Sequence, residues 1–296
     1  MKKSISFIFI VFGFVVLSKA QQLPQYSQYM FNDYIVNPAI AGKAPSYEVK
    51  SSNRYQWLGI TDAPRTYILS FHGPIRSKKM GIGGYLFTDI TGPSRRTGVS
   101  VTYAYHLKLT ESLKLSMGLS GGLLQFTVDG GKIIFGDPGD LILSNGLQSS
   151  LVPDFGFGTY LYSDKFYFGF SAPQILTSKL KFFDNVVSAS RLATHMYITG
   201  GYKFIINSEF TVEPSLVIKY VNPVPVQIDL GGRVIYEDKI WLGTAFRTKD
   251  AVSMLIGYTY QDNLTFGYSY DFTLTDIRKY SSGTHEVMIG LKFNKK

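Results

Sequence analysis

The sequence predicts an all-β fold: a transmembrane antiparallel β-barrel of about fourteen strands, with an amino-terminal non-strand segment at the periplasmic mouth or in the lumen. Three observations carry this. Hydrophobicity alternates with a period of two along most of the chain. The alternating segments are mostly near ten residues, where soluble strands average ~5–6 and membrane-spanning strands need ~9–11. Turn lengths also segregate by end, as they do in outer-membrane barrels.

The elements follow in chain order. Met1-Lys2-Lys3 is a positive start, Ser4 to Leu17 is apolar apart from Ser4, Ser6 and Gly13, and Ser18 and Ala20 are small. This is the pattern of a secretory leader cut after Ala20, so residues 1–20 form a signal peptide and the mature chain begins at Gln21. After Ala20 no uninterrupted apolar stretch reaches the roughly 18 residues of a membrane helix. Residues 21–46 do not alternate. They are too irregular for a strand, too rich in Pro for a long helix and too aromatic for a disordered tail. Tyr26, Tyr29, Phe31, Asn32, Tyr34, Asn37 and Pro38 mark this stretch as a plug or partner-docking segment.

Residues 47–296 then read as the barrel. Fourteen alternating segments fall at 47–56, 66–72, 80–89, 96–107, 112–126, 152–162, 165–172, 195–206, 210–220, 227–236, 240–247, 251–260, 264–271 and 284–293. One face of each carries Leu, Val, Ile, Phe and Tyr; the other is largely Gly, Ser, Thr and Ala. In 264–272, for instance, Leu264, Phe266, Tyr268 and Tyr270 oppose Gly267, Ser269 and Asp271. A soluble sheet would carry Lys and Glu on its wet face, so the apolar face is assigned to lipid and the small polar face to the lumen. Trp241 shares a face with Gly243 and Ala245, which makes it a lumen candidate. On the same parity argument an Arg at Phe266 should cost more than an Arg at Ser269. Starting strand one in the periplasm puts the long connections 127–151, 173–194 and 272–283 outside, with Thr248–Asp250 as a short outer turn.

Composition excludes several classes. There is no Cys, which removes disulfides, thiolate metal sites, a Cys nucleophile and a lipid-modified amino-terminal Cys. Of 30 Lys and Arg, three (Lys2, Lys3, Lys19) fall in the leader, leaving 27 scattered against 21 acids, so nucleic acid is not an expected partner. Among His72, His106, His195 and His285 no metal-binding spacing occurs, and no Gly-x-Ser-x-Gly turn is present. Asp137 and Asp140 flank Pro138-Gly139 in a turn that offers only a weak calcium candidate. His106, Arg247, Asp271 and Glu286 are candidate polar residues of the lumen. Gly81-Ile82-Gly83-Gly84 and the pairs at 121, 130, 200 and 231 read as bulges or bends. Neither a cofactor nor an enzymatic site is expected.

Several blocks of residues resemble one family. They are Pro24-Gln25-Tyr26-Ser27-Gln28-Tyr29-Met30-Phe31-Asn32 with Asn37-Pro38-Ala39-Ile40-Ala41-Gly42, then Arg54-Tyr55-Gln56-Trp57 and Ala63-Pro64-Arg65-Thr66. Further along come Tyr103-Ala104-Tyr105-His106, Gly169-Phe170-Ser171-Ala172-Pro173, and Trp241-Leu242-Gly243 with Arg247 and Asp250. The last are Gly267-Tyr268-Ser269-Tyr270-Asp271 and Gly283-Thr284-His285-Glu286. Along its whole length the chain is similar to the PorP/SprF family of type IX secretion and gliding. That resemblance implies an outer-membrane barrel without known catalysis, linked to export or surface anchoring of cargo with a carboxy-terminal sorting domain. It also implies periplasmic secretion-system or peptidoglycan-associated partners. An outer-membrane porin or substrate channel is the other reading, and the lumen discriminates: a packed interior favours the anchor, an open polar one the channel.

Overall fold

The computed structural model describes residues 24–75, 79–133, 146–180 and 191–293. The leader expected at 1–20, the cut before Gln21, and Asp137 and Asp140 lie outside the described residues. Fifteen strands form one antiparallel sheet: β1 Tyr47–Tyr55, β2 Arg65–Pro74, β3 Met80–Thr91, β4 Ser94–Lys108, β5 Lys114–Asp129, β6 Leu147–Tyr162, β7 Phe166–Ala172, β8 His195–Tyr202, β9 Phe204–Ile205, β10 Phe210–Val221, β11 Val224–Tyr236, β12 Ile240–Arg247, β13 Ala251–Tyr260, β14 Leu264–Thr273 and β15 Thr284–Phe293. Fourteen of them close a ring, with β15 pairing β1 from Tyr47↔Phe293 to Tyr55↔His285 and β10 pairing β11. The fifteenth, β9, pairs only with β10. Among the described residues no helix is long and apolar enough to cross a membrane; the strands do the crossing.

The expected single segment 195–206 is thus split. The interruption after Tyr202 falls opposite Pro214 of β10, which has no N–H for the ladder. The strand ends also moved: β6 begins at Leu147 and β5 runs on to Asp129, because their ladder continues from Lys114↔Tyr162 to Asp129↔Leu147.

The turns at 75–79, 109–113, 163–165, 206–209, 237–239 and 261–263 are short and mark the periplasmic end. The long connections 56–64 and 274–283 lie at the outer end, as do the described ends of 130–146 and 173–194. Three outer turns are short rather than one, since Gly92-Pro93 and Asn222-Pro223 join Thr248–Asp250.

Parity decides facing. On β4, Val99, Val101, Tyr103 and Tyr105 are exposed, while Ser100, Thr102, Ala104 and His106 are buried. On β14, Phe266 and Tyr268 are exposed and Ser269 and Asp271 buried. The outward set forms the lipid-facing band. These inward residues meet protein, not water.

The bulge reading of the glycines is corrected. The ladders run without a register shift through Gly83-Gly84, Gly121-Gly122, Gly200-Gly201 and Gly231-Gly232. Gly130 and Gly131 instead begin a short 3-10 turn, 130–132. Inside the barrel, some of these glycines make room for the amino-terminal segment. A Cβ on Gly81 would strike the Ala41 carbonyl, and one on Gly118 would strike Pro38 and Ala39.

Candidate functional site: a segment threaded through the lumen

Residues 24–46 run through the barrel interior. Their only regular structure is two single 3-10 turns, Asp33–Ile35 and Pro38–Ile40, the second with Asn37 as its cap. In this non-strand path each backbone polar group needs its own partner, and inward-facing Ser, Thr, Asn and His side chains supply several.

At the outer half, Ser27 sits in a ring of buried charges. Its N–H donates to Glu286 Oε2 at 2.8 Å and its Oγ to Asp271 Oδ2 at 2.7 Å. Arg54 donates to Ser27 Oγ at 2.8 Å and to Asp271 at 2.8 Å, and lies 3.3 Å from Glu286. Arg247 reaches Ser27 Oγ at 3.2 Å, Asp229 at 3.3 Å, Asp250 at 3.1 Å and Asp271 at 3.5 Å. Lys219 pairs with Asp229 at 2.8 Å, and Ser52 donates to Glu286 at 2.9 Å. Charges so buried persist only when paired and hydrogen-bonded, and here each contacts at least one of opposite sign. Gln28 donates to the Glu286 carbonyl at 2.9 Å.

Across the lumen, Tyr26 packs against an apolar cluster of Ile68, Phe87, Leu124, Val152, Leu180 and Leu192. Leu180 and Leu192 flank the middle of the β7–β8 connection, and both pack inside the barrel. Further down, Tyr29 is buried, with its hydroxyl 3.5 Å from Ser215 Oγ. Phe31 is half-buried, stacked on Trp241 at 3.6 Å between ring centroids, with Arg233 4.4 Å from its centre. Trp241 is therefore a lumen residue.

Asn32 accepts from Ser70 Oγ at 3.1 Å, and Tyr34 donates to Thr102 Oγ1 at 2.9 Å. Asn37 accepts the Ala39 N–H at 2.9 Å and donates to the Thr159 and Phe170 carbonyls at 3.0 and 3.3 Å. Pro38 is buried beside Gly118 and Gly158. At the periplasmic end Ser116 donates to the Ala39 carbonyl at 2.6 Å, and His106 Nε2 bonds the Ala41 carbonyl at 2.8 Å.

Thus Arg247, Asp271 and Glu286 converge on Ser27, whereas His106 serves the opposite end. Sequence reasoning missed Arg54, Asp229 and Ser27. Arg54 and Asp229 occupy inward parity in β1 and β11, so the alternation could have flagged both. Nothing in the sequence around Ser27 signals its contacts, which are made to residues more than 200 positions away in three of the four partners. His72 and His195 are both buried. His285 faces outward and accepts or donates at 2.7 Å with the Tyr268 hydroxyl.

Below the segment the lumen widens into two periplasmic vestibules. One, of about 530 Å³, is lined by Phe31, Trp241, Lys50, Glu48, Arg233 and residues of the short turns. The other, of about 440 Å³, lies beside Tyr160, Tyr162 and Tyr167. Asp33 and Lys43 of the segment pair at 2.9 Å here. Among the described residues no group of His, Cys, Asp and Glu could hold a metal ion.

A closed fourteen-stranded ring with a lipid-type outer face and an occupied lumen defines an outer-membrane β-barrel. Its fold is similar to that of the toluene transporter TbuX of Ralstonia pickettii (TM-score 0.53, 11% identity, covering 87% of this chain and 92% of that one). It is also similar to CymD, a monoaromatic hydrocarbon channel (TM-score 0.50, 11% identity, 91% and 92% covered). At that identity the likeness is one of fold alone. No curated protein sequence matches. The family described as type IX secretion system membrane protein PorP/SprF matches residues 18–291, and the chain belongs to that family.

Proposed function

We propose that this barrel is a non-enzymatic binding component of type IX secretion or gliding, helping to export or anchor a surface protein with a carboxy-terminal sorting domain. The observation that carries this reading is the filled lumen. Residues 27–41 cross it and contact strands on all sides, so the interior is occupied by the chain's own backbone. Such a barrel offers its two mouths as surfaces. The periplasmic vestibule, with charges of both signs, suits secretion-system or peptidoglycan-associated partners, and the outer loops suit cargo. The reading includes removal of residues 1–20 and insertion in the outer membrane of a Gram-negative cell.

The test is deletion of residues 21–42. The barrel should still insert, since all strands remain, while cargo attachment and co-purifying partners are lost. Normal cargo retention by the deletion would overturn the proposal. The second reading is a porin or substrate channel, a function carried by barrels of similar fold. It requires the native barrel to conduct ions or pass solutes with the segment in place.

A further inference from the structure

The direction in which the segment runs carries a consequence for topology. We propose that the mature amino terminus is threaded upward through the lumen and emerges at the extracellular rim, so the chain starts outside and enters its first strand from the periplasm. This rests on the outer-membrane reading above.

The path is read from the partners. Ala41 lies against His106 and Gly81, near the periplasmic ends of β4 and β3. Asn37 bonds Thr159, three residues from the periplasmic end of β6, and Tyr34 bonds Thr102, midway along β4. Ser27 is held by Arg54, Asp271 and Glu286, all within three residues of the outer ends of β1, β14 and β15, and by Arg247, the last residue of β12. Tyr26 then joins Leu180 and Leu192 of an outer connection. The 14 residue steps from Ser27 to Ala41 could span ~45 Å if extended, at ~3.3 Å each, ample for an apolar band ~25 Å tall. Only three residues, Gln21 to Leu23, precede Pro24 in the expected mature chain.

Sequence chemistry suits the passage. Gln21 to Asn32 contains no charged side chain. A charge drawn into the Arg54–Asp271–Glu286 ring would lack a partner and be costly to bury, whereas Ser and Gln add only neutral hydrogen bonds.

The absence of Cys permits a clean test on intact cells with a membrane-impermeant maleimide. Three variants of the full-length protein are compared: Gln22→Cys, Tyr280→Cys in an outer connection (77% exposed), and Ser208→Cys in the periplasmic turn 206–209. An epitope inserted after Gln22 serves as a second probe should the thiol be shielded at the rim. Labelling of Gln22→Cys on intact cells, within a few-fold of Tyr280→Cys, or antibody binding to the epitope on those cells, is expected. If Gln22→Cys and the epitope respond only after permeabilisation, as Ser208→Cys should, the threading is overturned. It is equally overturned if both stay inert until the barrel is denatured. Should Tyr280→Cys and Ser208→Cys fail to separate, the outer-membrane orientation itself falls, and the proposal with it.

Discussion

Replacing Asn37 tests the docking of the segment at a single side chain. Its amide makes three hydrogen bonds while almost wholly buried: one accepted from Ala39 N–H at 2.9 Å and two donated to the Thr159 and Phe170 carbonyls at 3.0 and 3.3 Å. Only one amide orientation matches these partners, since two are acceptors and one a donor. Asn37→Ala removes all three. Each such bond contributes ~0.5–1.5 kcal/mol net. Thr159 and Phe170 also face each other as a β6–β7 register pair, so the loss should be about 2–3 kcal/mol, and it falls on local docking because the strands are untouched. At ~1.4 kcal/mol per tenfold, the undocked population rises ~30- to 150-fold. Asn37→Asp is nearly isosteric but sets a carboxylate oxygen against two carbonyl oxygens, so it should undock the segment further than Ala. The assay is chymotrypsin cleavage at Tyr26, Tyr29, Phe31 and Tyr34 in the detergent-folded barrel. Its rate follows the open population when reclosing is fast. An Asp variant cut no faster than the Ala variant, or an Ala variant cut at the native rate, would refute the geometry.

Other perturbations follow from the same contacts. Gly118→Val places side-chain atoms on Pro38 and Ala39; the segment should be expelled while the barrel stays folded, read as a rise in single-channel conductance. Ile256→Arg puts a charge on the lipid face mid-strand and should cost ~2–4 kcal/mol in a refolding titration. Thr265→Arg opens onto the larger vestibule and should be close to neutral; equal penalties would contradict the facing.

The filled lumen changes one expectation read from alternation. Ser269 was the side on which an Arg should be tolerated, on the premise of a wet interior. It is fully buried beside the segment and the Asp271 ring, so an Arg there meets packed protein, and the cheap inward positions are those lining the vestibules.

Alternation, strand length and turn segregation made the ring legible from the sequence because each is a local property. Parity places Phe266 outward and Asp271 inward whatever lies on the other side of the barrel, and a ten-residue strand spans the bilayer without reference to its neighbours. The aromatic stretch at 26–34 was likewise visible as something that could not be left bare. What Asn37, Ser27 and Arg54 do was decided only in three dimensions. Their partners lie on strands that closure brings round from the far end of the chain, and the glycines at 81 and 118 take their meaning from a backbone that arrives from another segment. Parity can say that Arg54, Arg247, Asp229, Asp271 and Glu286 face inward. It cannot say that they converge on one serine, because that depends on the radius and stagger of the closed ring and on a segment with no periodicity of its own.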